Sequence, residues 1–560
     1  MIQSYFSSDI NIYQPSQYTF QLAHDLACPP LAAAVLEMLK GKQDINTFRD
    51  WIRPDFIKLV DGLNLGAGGK AAKELWNSKS SFGNVLVYGD YDTDGISSTV
   101  LAMEIFRSKA VQVKYFIPRR DVHGYGLNVG ILDKVIGWRC NTLVVVDCGT
   151  NDSEILEPLR KAGINIFVFD HHSLSAPVTI PTIVNPCIDM DAGEYQKICA
   201  TAVLWCWAWK ENIVPKKFLQ YEVDLPALAT IADCMPLHNL NRLLVRYGLN
   251  QMRNNPRRGL AVLFEQLGIN KSQLNEEHLS MRVIPCLNAP GRLATADPGV
   301  RALLGLGNNE AVYSCISELM RINRKRQSLT ETIAREIDDG FLTREITGNV
   351  IYRADWPIGV LSGVASRVCA EYNRPIVLAS PVGVDVIRGT LRVPEGGDAV
   401  GILRQIADKL DAWGGHKFAA GFSVKTENWP EVRNILERLL TDIKIVPENA
   451  MPVINISPAN ISISDWKAVC ALGPFGNNNP SPNFYTPAEG SEINPLGKDG
   501  KHSYILLNGK RLLAFNTSPR EAFEVMCRGV NGWIYHPRLD FWRNEEQLQF
   551  ILDCAVIGGA

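Results

Sequence analysis

The sequence predicts a multidomain α/β protein built around a parallel sheet, with a second α/β domain joined by a long helix and a small C-terminal β-barrel. Short apolar, β-rich runs alternate with helix-compatible segments in the first half of the chain. A shorter α/β pattern follows a long polar helical stretch, and apolar and polar residues alternate in the last hundred residues. At 560 residues, the chain is long enough for several hydrophobic cores.

The first half of the chain is expected to form two domains. In residues 1–80, Leu31 and Val35 belong to a set of apolar residues at helical spacing, which predicts a helical lead-in that caps the next domain. Residues 81–310 carry the β-rich runs. These runs are residues 84–88, 113–117, 142–146 and 165–169. Because each is followed by a helix-compatible segment, we expect a parallel sheet covered on both faces.

The second half of the chain is expected to begin with a connecting helix over residues 311–345. Its arginine-rich stretch favours a solvated helix between two domains. Residues 346–445 are expected to form the second α/β domain. Residues 455–560 alternate in polarity, which predicts an OB-like barrel.

Composition sets limits on the function. The chain has 46% hydrophobic and 21% charged residues, as ordinary globular proteins do, and its net charge of −2 means that nucleic acid would need a local basic groove. The 13 cysteines are scattered without paired spacing, so we expect free thiols. The N-terminal residues lack a signal-peptide pattern and no apolar run has transmembrane length, so we expect a cytoplasmic protein with no membrane partner.

Acidic residues follow three of the predicted strands. The first run leads into Asp90, Asp92 and Asp94, the third into Asp147, and the fourth into Asp170, His171 and His172. Because the carboxyl ends of parallel strands share one edge of the sheet, we expect these groups to lie together. Clustered anions repel unless a cation neutralises them, although any one aspartate could simply be a helix cap. Asp233, at the end of a predicted helix, could reach the same edge.

The ligand types favour a particular chemistry. Carboxylates with histidine and without a thiolate cluster select Mg²⁺ or Mn²⁺, and the number of ligands suits two ions. Such ions activate water and offset charge on a phosphoryl group, which predicts phosphodiester hydrolysis. The sequence contains no Walker A motif, no serine nucleophile elbow and no dinucleotide-binding glycine motif, which argues against motor, acyl-transfer and dinucleotide redox functions.

Six motifs in order, together with one longer C-terminal segment, carry a family resemblance. Residues 90–95 (Asp-Tyr-Asp-Thr-Asp-Gly), 147–149 (Asp-Cys-Gly), 170–172 (Asp-His-His) and 232–233 (Ala-Asp) resemble the four metal-binding motifs of the DHH superfamily. Residues 288–292 (Asn-Ala-Pro-Gly-Arg) and 414–421 (Gly-Gly-His-Lys-Phe-Ala-Ala-Gly) are similar to the RecJ-like branch and its DHH-associated domain. Residues 472–484 look like the segment that opens the OB-type domain of that branch.

The resemblance implies roles for individual residues. The implied metal ligands are Asp90, Asp92, Asp94, Asp147, His171 and Asp233, of which Asp90 is either a ligand or a neighbouring acid. Asp147 is expected to bridge the ions. His172 is expected to face the bound phosphate or to support its neighbour rather than to be a primary ligand, and both are candidate catalytic residues. The implied substrate contacts are Arg120, Asn288, Arg292, Ser366, Arg367, Arg392 and His416, with Arg119 as the neighbouring candidate for Arg120.

The resemblance also implies an activity: hydrolysis of single-stranded DNA from its 5′ end by two Mn²⁺ or Mg²⁺ ions, in DNA repair or recombination. The expected partners are single-stranded DNA and a helicase or single-strand-binding protein, and the chain is expected to be a monomer. One alternative is a DHH phosphodiesterase of short oligonucleotides or cyclic dinucleotides, against which the OB-like segment weighs. The other is an inactive DNA-binding replication scaffold, against which the full set of carboxylates weighs.

Overall fold

The computed structural model describes residues 3–6, 9–119, 126–127, 130–188, 197–441, 450–542 and 545–558. The chain forms two compact units. The smaller unit contains Met1–Asp61, Pro236–Arg246 and Asn449–Ala560, and the larger unit contains Gly62–Met235 and Tyr247–Glu448. None of the 13 cysteines, all of which lie in the described residues, forms a disulfide bond, as their spacing predicted.

The first sheet of the larger unit is wholly parallel and confirms the predicted fold class. Its strands are β3 (Asn84–Tyr88), β4 (Gln112–Phe116), β5 (Thr142–Val146), β6 (Asn165–Phe169) and β7 (Ile183–Val184). They lie in the order β4-β3-β5-β6-β7. Every residue of β5 is buried, as expected for a central strand with helices on both faces.

Helices alternate with the strands of this sheet, and further helices follow the last strand along the chain. They are Gly66–Ser78, Thr93–Phe106, Gly130–Gly137, Ser153–Lys161, Ala200–Lys210, Lys216–Tyr221, Asp224–Ala232, Arg258–Gln266, Glu276–His278, Ile284–Leu293 and Asp297–Leu304. Between Glu276–His278 and Ile284–Leu293 lies a π-helical segment, Leu279–Val283, and short 3₁₀ turns occur at Arg107–Lys109 and Lys271–Gln273. The helix Asn239–Asn254 begins in the smaller unit and ends in the larger one.

A 34-residue helix, Asn309–Leu342, leads into the second sheet of the larger unit. The side chain of Asn308 caps its first turn by accepting a hydrogen bond from Ala311 N. The sheet consists of β8 (Val350–Tyr352), β9 (Ile376–Val382), β10 (Val386–Arg392), β11 (Ala412–His416) and β12 (Ala419–Lys425), in the order β11-β12-β10-β9-β8. Its helices are Ile358–Tyr372, Ala399–Arg404 and Trp429–Thr441. The predicted second α/β domain is therefore present.

The smaller unit is built on a nine-stranded sheet. Its C-terminal strands are β13 (Met451–Asn455), β14 (Asn483–Pro487), β15 (Glu492–Leu496), β16 (His502–Leu507), β17 (Lys510–Ala514), β18 (Val530–Trp542) and β19 (Glu545–Ile557). Two N-terminal strands, β1 (Gln3–Phe6) and β2 (Ile10–Tyr13), pair with β19 and β13. The helices Ile463–Cys470 and Pro519–Met526 connect the C-terminal strands. In β16, alternate residues are buried, as the polarity pattern predicted.

The N-terminal segment differs from its prediction. Its helices are present as Gln17–Leu26, Pro30–Lys40, Ile45–Ile52 and Phe56–Asp61. However, Leu36 and Phe48 share a core with Trp533 and Tyr535, so the segment belongs with the C-terminal strands rather than capping the next domain. Strands of four residues carry little periodicity, and their pairing partners lie more than 400 residues away along the chain.

Among the described residues, no single helix has the length and apolar character needed to cross a membrane. Gln17–Leu26 and Pro30–Lys40 would meet those criteria only as a pair, and they are bent by 111°. Most of Pro30–Lys40 is buried in the protein core.

Candidate metal centre

The loop after β3 supplies three carboxylates from a tight turn. Asp92 caps the helix Thr93–Phe106, because its Oδ1 accepts hydrogen bonds from Asp94 N and Gly95 N at 3.1 and 3.2 Å. A Cβ on Gly95 would lie 2.4 Å from the carbonyl oxygen of Asp90. Glycine is therefore required here for the chain to fold back and bring Asp90 close to the helix start.

Asp147 follows β5 in a strained backbone conformation. Its φ is +59°, in the left-handed region that residues with a Cβ seldom adopt. Its N–H donates to the carbonyl of Phe169 at 3.0 Å, which fixes the turn. Its Oδ1 is buried, and no donor among the described residues forms a hydrogen bond with it. A strained residue that presents an unsatisfied anion is typical of a ligand-binding position.

Asp170, at the end of β6, organises both histidines. Its Oδ1 accepts hydrogen bonds from His171 N at 2.7 Å, from His172 N at 3.2 Å and from His172 Nδ1 at 2.7 Å, and its Oδ2 accepts one from Thr150 N. Burial alone would raise the pKa of Asp170, but His172 and the other donors lower it. Burial likewise opposes protonation of His172, but Asp170 outweighs it and raises the pKa of the imidazole. Asp170 therefore acts as an anion that orients His172.

The structure brings together all of the predicted metal ligands. Asp233 lies at the C-terminal end of the helix Asp224–Ala232. His171 Nε2 lies 3.3 Å from Asp147 Oδ1, 3.4 Å from Asp233 Oδ2 and 3.7 Å from Asp94 Oδ2. Two groups with metal-ligand spacing share Asp147: Asp94, Asp147, His171 and Asp233 form one, and Asp90, Asp92 and Asp147 form the other. His172 joins Asp147 and His171 in a third grouping.

The electrostatics of this centre call for a cation. Burial, followed by the charge of Asp94, raises the pKa of Asp147 and of Asp233 well above the ordinary carboxyl range, and raises that of Asp92. Burial lowers the pKa of His171, which favours the neutral imidazole that binds metals. Repelling carboxylates, a neutral imidazole and the unsatisfied Asp147 Oδ1 together fit a hard divalent ion.

Three of the predicted substrate residues lie around a cavity of about 160 Å³. Its lining residues are Arg292, Arg326, Thr330, Val360, Ser362, Gly363, Ser366 and Arg392. Arg292 donates to Ser362 Oγ at 2.8 Å, and Arg392 Nε donates to Ser366 Oγ at 3.0 Å. The hydroxyls thus fix the direction of two of the three guanidinium groups.

The cavity is positively charged and lies beside the carboxylates. Burial, followed by the charge of Arg292, lowers the pKa of both Arg326 and Arg392. Within the described part of the chain, no carboxylate forms an ion pair with any of the three arginines. Burial and the charge of Asp94 raise the pKa of Asp92, whereas the charge of Arg292 lowers it. Arg292, which lines the cavity, is therefore also within electrostatic reach of the carboxylates. Three half-buried guanidinium groups that form no ion pair within the described residues favour phosphate binding.

The other predicted substrate residues have different surroundings. The Oδ1 of Asn288 accepts a hydrogen bond from Thr93 at 2.7 Å, so Asn288 supports the acidic loop. Arg367 lies outside the cavity lining, with its Nε 3.6 Å from a carboxylate oxygen of Glu371. His416 is exposed on β11. Arg120 lies outside the described residues, and its neighbour Arg119 is exposed.

Sequence reasoning missed two functional candidates. The resemblance assigns no role to Asp170, although its place directly before two histidines is a usable signal. The arginine-rich stretch that contains Arg326 predicts a solvated helix, whereas the structure places Arg326 in the cavity lining. Asn323, Arg326 and Thr330 lie at helical spacing on the less exposed face, whereas Arg324 and Lys325 are exposed. Polar residues at helical spacing on one face of this helix were therefore the sequence signal that could have indicated the cavity.

Comparison with known families matches three successive segments of the chain. The DHH family N-terminal domain matches residues 84–235, the DHHA1 domain matches residues 341–442, and the RecJ OB domain matches residues 454–553. The first segment contains all the candidate metal ligands, and the second contains Ser366 and Arg392.

Curated relatives match most of the chain. The single-stranded-DNA-specific exonuclease RecJ of Bacillus subtilis is 27% identical over 96% of this chain and 69% of its own length. The protein of the same name from Thermus thermophilus is 30% identical over 81% of this chain and 66% of its own length. The chain therefore spans about two thirds of the length of these relatives.

Two solved structures support the fold. The crystal structure of RecJ with Mn²⁺ from Thermus thermophilus has a TM-score of 0.80 at 24% identity and covers 99% of this chain and 81% of that one. A structure of exonuclease RecJ bound to manganese has a TM-score of 0.57 at 28% identity, covering 69% of this chain and 97% of that one. Both share the layered α/β architecture described above.

Proposed function

Since the chain belongs to the RecJ-like branch of the DHH superfamily, we propose that it is a metal-dependent exonuclease specific for single-stranded DNA. One observation carries the proposal: a cluster of buried carboxylates lies beside a cavity lined by three arginines, and Arg292 is within reach of both. This arrangement suits a nucleic-acid strand. Metal ions at the carboxylates would bind the phosphodiester group that reacts, and the guanidinium groups of the cavity would bind a neighbouring phosphate.

The carboxylate cluster is a divalent-cation site, and we propose that it holds two ions, either Mn²⁺ or Mg²⁺. Asp94, Asp147, His171 and Asp233 would hold one ion; Asp90 and Asp92, together with Asp147 as the shared ligand, would hold the other. When bound, such ions supply an activated water and offset the negative charge of the phosphoryl group.

We propose that His172 acts directly on the substrate. Asp170 holds its Nδ1 and raises its pKa, so the ring keeps a proton at a higher pH than an ordinary histidine. A protonated ring beside the metal ligands can stabilise charge on the phosphoryl oxygens or give a proton to the leaving oxygen. His172 is thereby distinguished from His171, whose pKa is lowered and which suits metal binding.

We propose that the arginine cavity receives the terminal phosphate of the strand and makes the enzyme an exonuclease. A cavity of about 160 Å³ lined by three arginines has room for a phosphate group. The 5′ polarity rests on the family resemblance and on Arg120, which lies outside the described residues. Asn288, Arg367 and His416 remain proposed contacts for the rest of the strand.

The domain assignment is also a proposal: a mostly helical N-terminal segment over residues 1–80 whose first 61 residues group with the C-terminal strands, a catalytic domain over 81–310, a connecting helix over 311–345, a substrate domain over 346–445 and an OB-like domain over 455–560. In the last of these, Arg511 lies 4.8 Å from the ring centre of Tyr504, and His502 packs edge-on against the half-exposed Phe515. Aromatic and basic groups together on neighbouring strands suit stacking with unpaired bases.

We further propose that a helicase or single-strand-binding protein supplies the strand, because a single-strand enzyme cannot open a duplex by itself. A monomeric state, a cytoplasmic location and a role in repair or recombination accompany this proposal. Single-stranded DNA is the substrate class that the relatives' names support.

The proposal is tested with a single-stranded oligonucleotide labelled at either end, incubated with Mn²⁺, Mg²⁺ or chelator beside a dinucleotide and a cyclic dinucleotide. We expect metal-dependent release from the 5′ end of the long strand and no digestion of closed circles. Cleavage confined to the small substrates would replace the proposal with an oligonucleotide phosphodiesterase. Binding without cleavage would replace it with an inactive scaffold.

A further inference from the structure

Both oxygens of the Asp94 carboxylate are held by the start of the helix Ala200–Lys210. Ala200 N donates to Oδ2 at 2.7 Å, and Thr201 N donates to Oδ1 at 2.8 Å. The Thr201 hydroxyl lies 2.5 Å from the same Oδ1 and 3.1 Å from the carbonyl oxygen of Asp94. Because the hydroxyl has a single proton, the shorter contact assigns its hydrogen bond to Oδ1.

This contact is buried and separated from solvent. Asp94 and Thr201 are both 0% exposed, so water does not substitute for a missing donor. The N-terminus of an 11-residue helix adds a favourable dipole for the carboxylate. The only hydroxyl that reaches the Asp94 side chain within the described residues is that of Thr201, since the Ser98 hydroxyl bonds to the Asp94 backbone.

The two carboxylate oxygens of Asp94 have different surroundings. Oδ1 has two donors from Thr201, whereas Oδ2 has one donor and faces His171 Nε2 at 3.7 Å. The carboxylate plane is therefore fixed with Oδ2 towards the group that includes Asp147, His171 and Asp233. Partners of this kind orient a metal ligand and commonly change metal affinity by about 10- to 100-fold when they are removed.

We propose that Thr201 is a positioning residue that holds Asp94 in the orientation required for binding a divalent ion through Oδ2. The inference rests on the proposed metal centre and adds a residue to it from a helix that contains none of the predicted ligands. Thr201 itself does not touch the ion or the substrate.

The test is Thr201→Val, which keeps the side-chain shape and removes the hydroxyl. Binding of Mn²⁺ to the full chain without DNA is measured by titration with detection of free Mn²⁺ by electron paramagnetic resonance. We expect Thr201→Val to weaken Mn²⁺ binding by about 10-fold and Thr201→Ser to bind within about twofold of the unchanged chain. The rise in melting temperature on adding Mn²⁺ should decrease in parallel for Thr201→Val.

Thr142→Val is the matched control. Thr142 is also 0% exposed, and its hydroxyl donates to the Phe82 carbonyl at 2.9 Å, but it lies at the start of β5, away from the strand ends that carry the carboxylates. The control should lose stability and keep its Mn²⁺ affinity. If Thr201→Val does not fold, Thr201→Ala compared with Thr201→Ser separates the hydroxyl from the methyl group.

Two negative results have different meanings. If the unchanged chain binds Mn²⁺ and Thr201→Val binds it equally well, the positioning role is wrong and the metal centre stands. If the unchanged chain does not bind Mn²⁺, the proposed metal-dependent function fails first.

Discussion

The carboxylate cluster and the arginine cavity are two charged regions with opposite signs and different origins. In the first, burial and mutual repulsion raise the pKa of Asp147 and Asp233; in the second, burial and Arg292 lower the pKa of Arg326 and Arg392. Like charges repel within each region, which is unfavourable when no ligand is bound. A cation relieves the repulsion among the carboxylates, and a phosphate relieves it among the arginines. Such paired strain is characteristic of a binding site rather than of a structural core.

The two regions are also assembled differently. Most of the carboxylates follow directly from the strand ends of one parallel sheet. The arginines come from the helix Ile284–Leu293, the helix Asn309–Leu342 and β10. Local sequence order is therefore enough to place the first region, whereas the second requires three distant elements to converge.

The largest expected effect is the loss of hydrolysis when a residue of the carboxylate cluster is substituted. Asp147→Asn should reduce hydrolysis by at least about 1000-fold, because losing about 4 kcal/mol of transition-state stabilisation has that consequence. Asparagine tolerates the positive φ at this position, so the fold should survive. In chelator, the melting temperature should stay equal or rise, since one repelling charge is gone. Turnover within about tenfold of the unchanged chain would contradict the role of Asp147 as a shared ligand.

The next largest effect is expected when an arginine of the cavity is substituted and the carboxylate cluster is left unchanged. Arg326→Met should weaken the use of 5′-phosphorylated strands by about 10- to 100-fold, the range for losing hydrogen bonds to a charged group. Its Mn²⁺ titration should be unchanged, because Arg326 belongs to the cavity lining and not to the ligand groups. Arg324→Met is the matched control, since Arg324 lies on the exposed face of the same helix and outside the cavity lining, and it should change the rate by less than about threefold. Equal losses in both variants would argue against the cavity as the phosphate site.

A smaller effect compares the two classes of carboxylate by pH. The pKa values of Asp92, Asp147 and Asp233 are raised in the folded chain, so their contribution to stability is present below the unfolded pKa and is lost as pH rises through the folded one. The pKa of Asp170 is lowered, so its contribution is lost as pH falls instead. Urea unfolding in chelator should therefore show greatest stability at mildly acidic pH, and Mn²⁺ should remove the decline towards neutral pH. Parallel pH profiles with and without Mn²⁺ would contradict metal binding by these groups.

The smallest effect concerns salt. Binding of single-stranded DNA by a catalytically inactive variant should weaken as salt rises, because phosphate contacts release counterions. Arg326→Met should reduce the slope of log affinity against log salt by about 0.7, the value for one phosphate contact on a single strand. Fluorescence anisotropy at several salt concentrations measures both slopes. Identical slopes would mean that Arg326 does not contact phosphate in the complex.

The sequence by itself determined the parallel sheet, the second α/β domain and the residues of the carboxylate cluster. It could do so because a strand of five residues and the acid that follows it are adjacent in the chain, and parallel strands deliver those acids to one edge. Only the tertiary structure decided that Arg326 belongs to the cavity, that Thr201 holds Asp94, and that β1 and β2 complete the C-terminal sheet. Each of these depends on contacts between residues about 35 to more than 400 positions apart, which residue order and periodicity do not encode.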